Sequence, residues 1–175
     1  MARYLALLSV VLVSSAAFAQ PGAQATAIYA EGFGAAGLYS FGVERAVLAT
    51  AADHQLRLKV GVSDWYDEYY SPVDRVLTDH VVSVPVGASA LLAIGRPLGV
   101  PLALEAGSGV VGVRRSGPRL DATGADYSLD PYAEVAVRTL LFGRVGLRVG
   151  LTFGGEESSF SGDTSRPVVG ASFGF

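Results

Sequence analysis

Residues 145–155, VGLRVGLTFGG, carry an apolar side chain at every second position: Val145, Leu147, Val149, Leu151 and Phe153. Gly146, Arg148, Gly150, Thr152 and Gly154 stand between them. Successive side chains on a β-strand point to opposite faces. The stretch therefore reads as a strand with one unbroken apolar face and one face of small and charged groups. The same two-residue period recurs along the chain, whereas the 3.6-residue period of an amphipathic helix is hard to find. It predicts eight strands, at about 25–34, 37–46, 56–65, 80–92, 101–114, 131–141, 145–154 and 167–175.

Extending the alternation gives each strand one row of mostly Val, Leu, Ile, Ala and Phe. The opposite row holds Gly, Ser and Thr with Glu31, Glu44, Arg57, Lys59, Glu105, Glu134, Arg138 and Arg148, four acids against four bases. Soluble sheets also alternate, so composition has to decide. A sheet facing water would carry many Lys, Thr, Gln and Asn, and Lys59 is the only lysine here. Small residues with balanced charges suit the narrow interior of an eight-stranded barrel, which side chains just fill. Isolated buried charges are costly, so Arg148 is expected to point inward and pair with glutamates. The fold expected is all-β, an eight-stranded antiparallel up-and-down transmembrane β-barrel with a salt-bridged, plugged lumen.

The N-terminus agrees with such a destination. Arg3 is followed by an apolar run, residues 5–13, and then by Ala17-Phe18-Ala19 before Gln20. A charged start, a short apolar run and an A-x-A site form the pattern of a secretory signal peptide. Residues 1–19 are read as that peptide and residues 20–175 as the barrel domain. The chain has no cysteine, so an exported core must hold without disulfides. Mean hydropathy is +0.40. Past Ala19, however, no apolar stretch is long enough for a spanning helix; the longest, residues 81–95, is broken by Pro85.

The connections alternate in length. Residues 47–55, 93–100 and 142–144 are fairly short, while 66–79, 115–130 and 156–166 are longer and polar. The first turn, GAAG at 34–37, is the exception on the long side. Long loops at one end and short turns at the other are the asymmetry of an outer-membrane barrel. Aromatic residues fall near the expected borders, with Tyr39, Trp65, Tyr66, Tyr132 and Phe153 towards the outer ends. Phe142, Phe173 and Phe175 lie towards the inner ends, which together suggests two interfacial girdles.

The C-terminal VVGASFGF resembles the assembly signal of bacterial outer-membrane barrels through Gly170, Phe173 and Phe175, with Val168 where a polar residue is usual. The N-terminal YAEGFGAAGLYSFGVER resembles the opening hairpin of short outer-membrane β-barrel proteins of the OmpA/OmpX-like type. Glu31, Gly34, Gly37, Tyr39, Ser40, Glu44 and Arg45 carry that likeness; Ala35-Ala36 replaces the usual Asn-Gly, and Val43 an aromatic. The resemblance implies a Gram-negative outer-membrane, porin-like architecture. It implies no activity, because this architecture hosts adhesins, structural proteins and a few lipid enzymes.

Chemistry-bearing residues are few. His54 falls in an inner turn and His80 at the outer end of strand four, where an outer-leaflet lipid enzyme would work. His80 and Ser83 are three apart and so on opposite faces of a strand, which separates them as base and nucleophile unless a bulge intervenes, and leaves a partner from another strand open. Glu105 and Glu134 could form an acid–base pair but read more simply as part of the salt-bridge network. Asp121, Asp126 and Asp130 match no calcium loop and read as solvated turn residues. The stretch 64–79 combines Trp65, Tyr66, Tyr69 and Tyr70 with Asp64, Asp67, Glu68, Asp74 and Asp79, and offers the best loop surface for binding. No phosphate loop, zinc spacing or basic nucleic-acid patch is present.

The function expected is non-enzymatic: a structural or surface-interaction role at the cell surface through extracellular loops. Lipid-modifying catalysis on the same barrel and a narrow channel are the alternatives. The expected partners are outer-membrane lipid, lipopolysaccharide and the outer-membrane assembly machinery. A monomer is expected, with no cofactor and no metal.

Overall fold

The computed structural model describes residues 26–50, 54–70, 76–118, 125–155 and 165–175. The stretch read as a signal peptide lies outside them. Eight strands form among the described residues: β1 (Thr26–Gly32), β2 (Tyr39–Ala49), β3 (Gln55–Tyr70), β4 (Val76–Gly95), β5 (Leu102–Ser116), β6 (Asp126–Leu141), β7 (Val145–Gly154) and β8 (Ser165–Gly174). Each pairs antiparallel with its chain neighbours, and β1 pairs with β8, so the sheet closes on itself as an up-and-down barrel. A 3₁₀ turn at Pro97–Gly99 joins β4 to β5.

All eight expected strands are present, and β7 keeps its expected bounds. The main correction is at β3, β4 and β6. Residues 66–70, 76–79 and 126–130 are strand, not loop, with Tyr66 opposite His80, Asp67 opposite Asp79 and Arg114 opposite Tyr127. The apolar row stops before the hydrogen-bonded ladder does, so a reading by hydrophobicity ends these strands too early.

The two faces differ as the alternation requires. Outward on β5 are Leu102, Leu104, Ala106, Ser108, Val110 and Gly112, followed by Arg114. About ten residues at about 3.3 Å each, on a strand tilted about 40°, give an apolar height of about 25 Å. Inward on the same strand are Glu105, Val111 and Val113, all buried.

The start of β1 at Thr26 and the end of the chain at Phe175 lie at one end of the barrel, together with the β4–β5 and β6–β7 turns. There Phe142 and Gly143 have φ of 51° and 70°, and the Arg144 amide donates to the Leu141 carbonyl at 3.1 Å. Two successive positive φ values define a type I′ hairpin, whose first position normally takes Asn, Asp or Gly. At the opposite end the β1–β2 connection turns inward. Ala35 and Ala36 are buried, and Gly37, at φ 90°, lies so that a β-carbon would stand 3.4 Å from the Trp65 ring. Ala35, Trp65, Val81, Val111, Val113 and Tyr132 form an apolar cluster with Leu38 packed against it. This cluster is a lid inside the barrel mouth.

Candidate functional site

The eight charged residues expected in the lumen all point inward and are buried; Glu105 and Glu134 are among the largest fully buried side chains. They form one connected network. Glu44 meets Arg57 at 3.4 Å and is also bound by Arg138. Arg138 reaches Glu105 at 3.7 Å, and Arg148 meets Glu105 at 3.6 Å, Glu31 at 3.4 Å and Glu134 at 2.9 Å. Lys59 closes the far side, 2.7 Å from Glu134 and 3.8 Å from Glu31. Each acid therefore touches two bases, which spreads the desolvation of every charge over two opposite ones. Glu105 is held by charge alone, since neither of its carboxylate oxygens has a hydrogen-bond partner. Ser172 also accepts from Arg138 at 2.8 Å.

Little space remains inside. A cavity of about 10 Å³ lies among Tyr29, Glu44, Lys59, Arg138, Arg148 and Ser172. That volume holds about one water. Two tyrosines fill the interior beside the charges. Tyr29 lies over Gly42 and Gly61, which face each other across β2 and β3. Tyr132 lies over Gly109 and Gly87, which face each other across β5 and β4. The Lys59 ammonium stands 5.4 Å from the Tyr132 ring centroid, within cation–π range.

These positions correct two expectations. Trp65 is neither in the outer girdle nor on the loop surface; it is 4% exposed and sits in the lid. Tyr132 is likewise inside. Parity along the strand was the available signal: Trp65 follows Lys59 and Ser63 by even steps, and Tyr132 precedes Glu134 and Arg138. Tyr39, Tyr66, Phe153, Phe142, Phe173 and Phe175 are exposed on the outside or at the ends. Tyr69 and Tyr70 belong to β3. Gly170 is opposite both Glu31 and Arg148 in β8's pairings, packed on the Arg148 side chain.

His54 receives the Ala93 amide at its Nδ1, 3.0 Å away, and so ties the β2–β3 turn to β4. His80 is on the outer wall and Ser83 on the inner one, so the geometry keeps them apart. On the outer wall, His80 Nε2 lies 2.6 Å from Asp64 Oδ1, and the His80 ring stacks on Tyr66 at 5.0 Å. The Tyr39 hydroxyl donates to the Asp64 carbonyl. One strand further round, Arg114 Nε donates to the Tyr127 hydroxyl at 3.2 Å. Asp126 and Asp130, expected in a turn, are in β6; Asp126 Oδ1 accepts the Tyr127 amide at 2.8 Å and Asp130 accepts from Ser128 Oγ at 2.9 Å. Asp74 and Asp121 lie outside the described residues. Among the described residues no group of three or more His, Cys, Asp or Glu is arranged to hold a metal ion.

The fold and this interior define a class: a closed eight-stranded up-and-down barrel, apolar outside, with an ion-paired interior under an apolar lid. No protein-family model matches the chain, and no curated protein matches it.

Proposed function

We propose that the chain is an integral outer-membrane barrel of a Gram-negative bacterium, exported by residues 1–19 and monomeric, with a structural or surface-interaction role rather than a catalytic one. The observation that carries this reading is its inverted polarity. Charges that a water-soluble sheet would display are buried in the ring, while Ile28, Phe41, Leu58, Val86, Leu104, Val137 and Val149 stand exposed around it. An apolar exterior of about 25 Å matches a hydrocarbon core crossed by tilted strands.

The inner turns support the same reading. Leu98 and Phe142 both have positive φ, a conformation unfavourable for side chains of this kind, and both are almost wholly exposed. Apolar tips held in such a conformation gain from contact with a membrane interface. At the other end, Tyr66 and the polar edge of the β3–β4 hairpin offer the surface for contact with lipopolysaccharide or a surface partner. The packed lumen favours a closed barrel over a conducting one.

Fractionation tests the proposal. The folded protein is expected in outer membranes, resistant to carbonate extraction and with a heat-dependent gel mobility. Recovery in the soluble periplasmic fraction at ordinary expression would refute it, and steady single-channel conductance would refute the closed lumen. The lipid-enzyme reading rests on the Asp64–His80 pair with Ser116 opposite His80. Ser116 Oγ, however, is directed to the His80 carbonyl at 3.5 Å, not to the ring. Release of fatty acid from lipopolysaccharide that is lost in His80→Ala would establish that alternative.

A further inference from the structure

We infer that the outer wall carries a binding site for the phosphoryl headgroup of a membrane lipid, built on Arg114 with Tyr127 and Ser116. The inference rests on the membrane reading above and adds a ligand to it. Arg114 is exposed and points outward at the point where the apolar row of β5 ends. A guanidinium at that height sits where hydrocarbon gives way to headgroups. Among the described residues Arg114 has no carboxylate partner. Among those residues the one polar contact of its side chain is the Tyr127 hydroxyl.

That contact also orients the side chain. It occupies Nε and, among the described residues, leaves both terminal amino groups of the guanidinium open, the fork that binds a phosphate through two parallel hydrogen bonds. Tyr127 accepts from Arg114 through its oxygen, so its own O–H remains available to donate to the same anion. Ser116 lies two residues beyond Arg114 on the same face, and its bond to the His80 carbonyl is long at 3.5 Å, so its hydroxyl can turn to a phosphate oxygen. Leu129, exposed on the outward face of β6, and Gly112 below Arg114 continue the wall on which acyl chains would lie. Among the described residues the nearest competing charge in that cross-strand row is Asp64. Asp64 is opposite Val82, and Val82 is opposite Arg114, which puts the acid two strands away, about 10 Å by strand spacing. It is engaged there by His80.

The test uses the full chain folded in neutral maltoside micelles, with bound lipid counted by native mass spectrometry. Phosphatidic acid, which carries a phosphomonoester, is compared with phosphatidylcholine and with diacylglycerol, and inorganic phosphate is added as a soluble competitor. Phosphatidic acid should bind about tenfold more tightly than either other lipid. Arg114→Gln should lower that affinity about fivefold or more, Tyr127→Phe by less, and Arg144→Gln at the opposite end should leave it unchanged. Folded Arg114→Gln protein that takes up phosphatidic acid like the parent overturns the site. Competition by inorganic phosphate at equal concentration overturns the assignment to a lipid. A parent chain soluble without detergent overturns the membrane reading and the site together, whereas an inserted parent with no preference for phosphatidic acid overturns the site alone.

Discussion

Tyr132 covers Gly87: its hydroxyl occupies the space that a β-carbon at Gly87 would need. The same ring stands 2.8 Å from the β-carbon position of Gly109, and Tyr29 repeats the arrangement 2.7 Å from that of Gly42. Each tyrosine therefore crosses two strands whose inward positions are empty, filling a narrow barrel from one wall. Gly42→Val and Gly109→Val should each destabilise the folded barrel by about 3 kcal/mol or more, because the new β-carbons also run into the Val60 and Val86 carbonyl oxygens of the adjacent strands. Gly112→Val, with only Leu129 near at 3.7 Å, should change stability by less than about 0.5 kcal/mol. Gly87→Ala should be milder when combined with Tyr132→Phe, which removes the nearest atom it meets, although the Ser108 carbonyl oxygen stays 2.8 Å from the new β-carbon. Urea unfolding in lipid vesicles measures all of these.

Arg148 touches Glu31, Glu105 and Glu134. Removing it by Arg148→Leu leaves surplus negative charge inside and should cost about 3–5 kcal/mol. Glu31 and Glu134 keep Lys59, so the poorest-served acid is Glu105, left with Arg138 at 3.7 Å. Glu105→Gln should accordingly recover part of the loss, with Glu134→Gln recovering less. The deficit should also shrink on acidification, since protonating a carboxylate removes the surplus charge. A penalty independent of pH and of Glu105 would contradict the network.

Leu147 stands next to Arg148 in sequence and on the opposite wall, 42% exposed. If the outer wall meets lipid as proposed, Leu147→Arg sets a charge in hydrocarbon and should destabilise by about 2–4 kcal/mol, more than the same change nearer either border. Tolerance of this variant would mean that the outer wall does not meet hydrocarbon.

Trp65 is the only tryptophan, so its emission reports the lid. It should be shielded from lipids brominated at any depth. In a Trp65→Phe background, Phe142→Trp should be quenched best by lipid brominated near the headgroup, because Phe142 projects from the inner turn. Strong quenching of Trp65 itself would put it on the outer wall and sink the lid.

Phe175 lies at the end of the closing strand, and its amide donates to the Thr26 carbonyl at 3.0 Å. It is 71% exposed and adds little packing. If Gly170, Phe173 and Phe175 form an assembly signal, deleting Phe175 should lower the inserted yield and raise periplasmic degradation while unfolding of the inserted fraction stays nearly unchanged. Equal yield would remove that role.

Strand number, face and the identity of the eight interior charges were legible because alternation is a local property of extended backbone. The ends of β3, β4 and β6 were not, because pairing continues where apolar residues stop. Trp65 and Tyr132 were legible in principle from parity, but their place near the strand borders suggested a girdle. Nothing periodic marks Ala35 and Ala36 as buried; their turn carries a small apolar pair where polar turn residues are usual.

The sequence by itself determined that one face of each strand is apolar and the other small or charged, and that acids and bases balance. Only the closed barrel decided which partners meet. Arg138 and Glu44 are 94 residues apart and Lys59 and Glu134 are 75 apart, brought together across the lumen when β1 pairs with β8. Strand pairing and curvature likewise decided that the β1–β2 turn folds over Trp65 and that Tyr29 and Tyr132 lie on glycines of the next two strands. Face is set by the period of one strand, whereas partners are set by register and ring closure, which no single strand contains.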